Sequence, residues 1–99
     1  SPARLWPFLK RWHQVLYWVS KFGSYVTSGD ISYKLNMSTS QASNILRQLT
    51  QWGHLARRNI ASEQGLSGNK YVYDITDKGR DKLRYIMRGV RDRTTGRNP

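Results

Sequence analysis

The 99-residue sequence contains no cysteine, which removes disulfides, thiolate metal sites and cysteine nucleophiles from consideration. Acidic residues are scarce: 6 stand against 17 lysines and arginines, a formal net charge of +11. Such an imbalance attracts polyanions and opposes association through exposed surface, so nucleic acid is the first partner to test. No apolar run approaches the ~18 residues a membrane helix needs, and no signal peptide is visible, so a cytoplasmic protein without a membrane partner is expected. Histidine is limited to His13 and His54. They fall on different elements, and no carboxylate is placed by sequence to orient either, so acid–base catalysis has no visible constellation. An enzyme is not expected, and nothing points to a cofactor or a metal.

What is present reads as one domain, with a core small enough that a second subunit would help its stability. Leu5, Phe8, Trp12, Val15, Val19 and Phe22 recur at spacings of three and four, widened by Leu9 and Leu16, and predict an amphipathic helix from about Pro7 to Phe22. Trp6, Tyr17 and Trp18 fall off that stripe. The helix is therefore apolar over more of its circumference than a small core covers; one deeply buried helix explains this, and so does a helix shared with a second subunit. Gly23 ends it, Ser24-Tyr-Val-Thr27 reads as a short extended segment, and Ser28-Gly-Asp30 is a new helix start.

Ile31 and Leu35, with small Ser32 between them, make a second helix of about two turns. Asn36 follows, a residue that tolerates the left-handed conformation of a tight turn. Ser38 and Gln41 stand at capping-box spacing, so a third helix starts near Thr39. Ala42, Ile45, Leu46, Leu49 and Trp52 form its core face and Gly53 stops it. Leu55 to Arg58 and Lys70 to Ile75 read as strands, the second with Tyr71, Tyr73 and Ile75 on one face, and Asn59 to Asn69 as a long hairpin loop. Thr76 caps a last helix that buries Leu83, Ile86, Met87 and Val90. The domain spans residues 1–90, and Arg91 to Pro99 is expected to be a basic, flexible tail. The fold class is mainly α with a small β-hairpin (α+β).

This order of elements is that of a winged helix-turn-helix domain. Ile31 to Leu49 resembles the helix-turn-helix itself, with Ile31, Leu35, Met37, Ala42 and Ile45 at buried positions, Ser32 where a small residue is needed and Asn36 at the turn. "WGHLARR" resembles the exit from a recognition helix into the wing. "YDITDKGRDKL" resembles the "LTxxG" run that follows the wing in MarR-like and PadR-like transcription regulators, and the likeness covers about residues 12 to 90. The resemblance implies double-stranded DNA as partner, with the third helix in the major groove and Ser38, Thr39, Ser40, Gln41, Ser43, Asn44, Arg47 and Gln48 at positions matching its outward face. Asparagine and glutamine can bond adenine bidentately, arginine can bond guanine or reach a phosphate, and hydroxyls allow close approach. A merely solvated face would explain Ser38 and Gln41 as caps, but not a whole polar set without one acid. Arg57, Arg58 and Lys70 border the long loop, where the resemblance puts a wing whose cations lie on phosphates. Glu63, taken as the loop tip, argues against the whole loop touching DNA. "GLSGNK" is not a phosphate loop, because its glycine spacing fails and no helix follows the lysine.

Surplus apolar surface on the first and last helices points to a homodimer through Trp6, Phe8, Leu9, Trp12, Ile86 and Val90, with two half-sites about one helical turn apart. A nucleoid-associated transcription regulator follows. Two other readings use the same residues. One is a sequence-tolerant architectural or partition-type protein that coats DNA, differing only in specificity ratio. The other is a winged-helix interaction module that meets a protein through its aromatic first helix. No residue pattern names an effector.

Overall fold

A computed structural model describes the backbone of residues 9–94 and the side chains of residues 9–89. Helix α1 (Arg11–Phe22) starts later than its apolar stripe predicts. Lys10 is extended, and its N–H donates to His13 Nδ1 at 3.2 Å, while Gln14 Nε2 donates to the Leu9 carbonyl at 3.2 Å. These side chains satisfy groups that an earlier helical turn would have used, so the helix begins there. Pro7 lies outside the described residues. Val15, Leu16 and Val19 are wholly buried, but Phe22, expected on the core stripe, is 43% exposed. It is the last helical residue, beyond the edge of the core, and its ring rests on Trp18 instead.

After Gly23, at φ +103°, the extended segment does form. Val26 exchanges both backbone hydrogen bonds with Tyr73, at 3.3 and 2.8 Å. Helix α2 (Ser28–Leu35) begins at the expected start signal, with Thr27 as its cap. Thr27 Oγ1 accepts from the Asp30 N–H at 3.1 Å and Asp30 Oδ2 accepts from the Thr27 N–H at 3.0 Å, a reciprocal box. Asn36 adopts the left-handed conformation, φ +53°, that the turn demands. Helix α3 (Thr39–Gln51) then begins with half of its expected capping box. Ser38 Oγ accepts from the Gln41 N–H at 3.0 Å, while the Gln41 side chain stays on the surface.

Ala42, Leu46 and Leu49 of α3 are fully buried against α1 and α2, with Ile45 partly covered. Trp52 was expected with them, yet it is 42% exposed. It sits at the helix end, where the backbone turns at Gly53, and its ring packs edge-on against Trp12 at 5.2 Å. Strand β1 (Leu55–Asn59) pairs antiparallel with β2 (Tyr71–Ile75), Leu55 facing Ile75 and Asn59 facing Tyr71. Leu55, Tyr73 and Ile75 complete the main core.

The hairpin connection is not all loop, because Ile60–Glu63 forms a short helix, α4. Asn59 builds it. Its Oδ1 accepts from the N–H groups of Ser62 and Lys70, and its Nδ2 donates to Asn69 Oδ1, tying both ends of the connection together. Helix α4 packs on β2. This accounts for the burial of Ala61 and of Val72, which strand alternation had placed on the solvent side.

Thr76 caps α5 (Asp77–Thr94) as expected, its Oγ1 accepting from the Gly79 N–H at 3.0 Å and donating to the Gly53 carbonyl at 2.7 Å. Its backbone N–H reaches the His54 carbonyl at 3.1 Å. One residue thus fastens the start of α5 to the exit of α3. Ile86 is buried while Leu83 and Met87 are half-buried; the Val90 side chain lies outside the described residues. Helix α5 continues to Thr94, taking in the first part of the stretch expected as a flexible tail; residues 95–99 lie outside the described residues. No helix among the described residues is long and apolar enough to cross a membrane.

Candidate nucleic-acid interface

The period of α3 separates its residues cleanly. With Ala42, Leu46 and Leu49 turned inward, Thr39, Ser40, Gln41, Asn44, Arg47 and Gln48 are exposed, as is Ser38 at the cap. Ser43 is half-buried at the border of the face. Gln51, exposed one turn beyond Arg47 and Gln48, extends the face and was missed in the sequence, although its spacing of seven from Asn44 signals it. Asn44 and Arg47 are already coupled: Arg47 Nη2 donates to Asn44 Oδ1 at 2.8 Å. No acidic residue lies anywhere on α3. The surface is therefore made of hydroxyls, amides and one cation, groups that match base edges and phosphate oxygens.

Arg57 and Arg58 are adjacent on β1 and so project to opposite faces of the hairpin. Arg57 stacks on the Tyr71 ring at 4.2 Å. Arg58 is held by Glu63 of α4 through both ends of the carboxylate, Nε to Oε2 at 2.9 Å and Nη2 to Oε1. It also lies 5.6 Å from the Tyr25 ring. Hydrogen bonding to Glu63, then to Tyr25, raises the Arg58 pKa, and the same bond lowers that of Glu63. Glu63 is thus the partner of Arg58 within a helix, not a free acid at the loop tip. Lys70 is exposed at the foot of β2.

Positive charge beyond these residues is largely unmatched. Among the described residues, carboxylates pair with Arg58 and Arg84 and with no other cation. Arg47, Arg57, Lys70, Lys78 and Arg80 are all exposed. Lys78 lies over Gly53, its Nζ 3.5 Å from where a Cβ would stand there. That places a cation at the C-terminal end of α3, where the helix dipole favours it.

His54, read from sequence as a residue just past a helix end, is buried between Trp12, stacked at 6.2 Å, and Trp52 at 6.1 Å. Its Nδ1 has no hydrogen-bond partner among the described residues. Burial first, then the charges of Lys78 and Lys82, push its pKa below the ordinary 6.5. The unfolded chain takes up this proton near pH 6.5 whereas the folded chain resists it. Stability is therefore untouched above that pH and falls as the pH drops from about 6.5 toward the lower folded value. His54→Phe is expected to flatten this decline in thermal melts between about pH 5 and 8, and an unchanged pH dependence would contradict the assignment.

The residues expected at a dimer interface are placed differently from one another. Trp6 and Phe8 lie outside the described residues, as does the side chain of Val90. Leu9 and Ile86 bury each other within one chain, flanked by Trp12 and Met87. They join the segment before α1 to the middle of α5, and Tyr85 beside them remains 71% exposed. Among the described residues no group of three histidine or acidic side chains is placed to hold a metal ion.

The family model of the MarR family matches residues 8–63 of the chain. Among solved structures, the chain is similar to a protein of the thermoacidophilic archaeon Sulfolobus tokodaii, with TM-score 0.59 and 20% identity over 88% of this chain and 80% of that one. It is also similar to MepR of S. aureus bound to ethidium bromide, with TM-score 0.60 and 16% identity over 92% of this chain and 65% of that one. At these identities the likeness shows the winged-helix fold. No curated protein matches the sequence.

Proposed function

The chain belongs to the MarR family, and from that premise we propose that it is a transcription regulator that binds duplex DNA as a homodimer, with α3 in the major groove and the β1–β2 hairpin on phosphates. The outward side of α3 carries this reading. It is exposed, it bears Ser38, Thr39, Ser40, Gln41, Asn44, Arg47 and Gln48, and it holds no acid. Asn44 and Arg47 contact base edges, while the hydroxyls of the first turn, with Ser43 at the border, sit against the backbone of one strand. Arg57 and Lys70 hold phosphates from the wing, together with Arg58 to the extent that Glu63 leaves its charge free.

The test is selection of bound duplexes from a random pool at about 150 mM salt, where charge attraction alone no longer dominates. A recurring motif supports a regulator that reads sequence. Binding without a motif, with a footprint that spreads as protein is added, supports the DNA-coating alternative, which the net charge of +11 also fits.

Dimerisation is proposed through the first and last helices, where Trp12 is half-buried and Tyr85 exposed beside the Leu9–Ile86 contact. Sedimentation of the full chain at micromolar concentration is expected to give twice the monomer mass, and Tyr85→Glu to shift it toward monomer. A monomer for the unaltered chain would remove the paired half-sites. Such a regulator works on the chromosome, in the cytoplasm.

A further inference from the structure

We propose that Glu63 is an internal competitor of the DNA phosphates: by pairing with Arg58 it cancels the wing's charge at that position and holds the protein's duplex affinity down. The inference rests on the DNA-binding reading above. Glu63 is the one carboxylate between Gly53 and Lys70. The fold places it with care, because the Asn59 cap creates the α4 turn that swings Glu63 back over β1. There it meets the Arg58 guanidinium side-on, with two donors on two oxygens, the strongest geometry available to this pair. Both side chains are about half exposed, at 51% and 45%, so a phosphate can reach the arginine and the carboxylate alike.

The consequence for binding is electrostatic. A free arginine beside the duplex releases about one counterion from the phosphate it neutralises, adding close to −0.9 to the log–log salt slope. An arginine already matched by a carboxylate brings no net charge and releases none. At about 150 mM salt one such counterion corresponds to about fivefold in affinity.

The test measures affinity for a random duplex, and its salt dependence, with the unaltered 99-residue chain and the variants Glu63→Gln, Arg58→Ala and the double variant, after thermal melts have shown that each folds. Glu63→Gln is expected to bind about fivefold tighter with a salt slope steeper by about one. Arg58→Ala should bind more weakly, since it leaves Glu63 facing the phosphates. The double variant should return to within about twofold of the unaltered chain, because removing both members removes no net charge. A double variant as weak as Arg58→Ala would overturn the proposal and make Arg58 a direct contact indifferent to Glu63. That outcome also decides the matter if Glu63→Gln alone does not fold. Glu63→Gln binding no tighter than the unaltered chain overturns it as well. Absence of duplex binding by every form, at low salt, would overturn the DNA reading and this inference together.

Discussion

Gly79→Ala is expected to destabilise the domain by at least about 3 kcal/mol, beyond the usual cost of an extra methyl in a packed site. A Cβ built on Gly79 would stand 2.1 Å from the His54 carbonyl oxygen, 3.0 Å from its carbon and 2.8 Å from Ile75 Cγ1. The first two are backbone atoms in a turn that cannot retreat without loss. The His54 carbonyl accepts the Thr76 N–H, and the His54 N–H donates to the Leu49 carbonyl at 2.9 Å, so pushing it away loosens both the start of α5 and the end of α3. For a domain of this size the loss corresponds to a fall in Tm of roughly 12–24 °C, readable by circular dichroism. Gly89→Ala on the same helix is the control. Nothing lies within 4 Å of its Cβ position, so it is expected to gain about 0.5–1 kcal/mol from helix propensity. Equal effects at the two glycines would contradict the close approach at Gly79.

The second large effect concerns salt. Neutralisation of roughly six to eight phosphates implies a log–log slope of about −5 to −7, so affinity for any duplex is expected to fall about 10³- to 10⁴-fold between about 50 and 200 mM salt. The exposed cations without acidic partners supply that number: Arg57, Lys70, Lys78 and Arg80 lie on the hairpin and at the start of α5, and the other basic residues of α5 extend the set. Fluorescence anisotropy of a labelled random duplex over that range measures it. A slope shallower than about −2 would mean that few phosphates are engaged. It would turn attention to a protein partner for the aromatic first helix.

The helix-turn-helix was legible because its signals are local and redundant: periodic apolar positions, Asn36 where φ must be positive, and Ser38 at the next cap. The core face of α3 followed from that periodicity, and the family resemblance marked the opposite side as outward. Errors concentrate where a tertiary contact overrides a local pattern. Helix α4 is too short for any periodicity to show, and its signal, Asn59 three residues before Ser62, is also what a turn would contain. Because α4 went unseen, so did the pairing of Glu63 with Arg58 and the burial of Val72. Trp52 and Phe22 obey the helical period yet lie past the ends of the core. Gly79 stands at the glycine of the stretch that resembles "LTxxG", but no reason for a glycine there was legible. The cause, a helix start pressed on the His54 carbonyl, is a contact across distant sequence that no local pattern contains.

The most direct measurement compares the unaltered chain with Arg47→Ala on a selected duplex and on a random one, both at about 150 mM salt. If the polar side of α3 lies against base edges, the variant loses about 5- to 150-fold on the selected duplex and far less on the random one. Equal losses on both would assign Arg47 to the phosphate backbone, and no loss on either would take α3 out of the groove altogether.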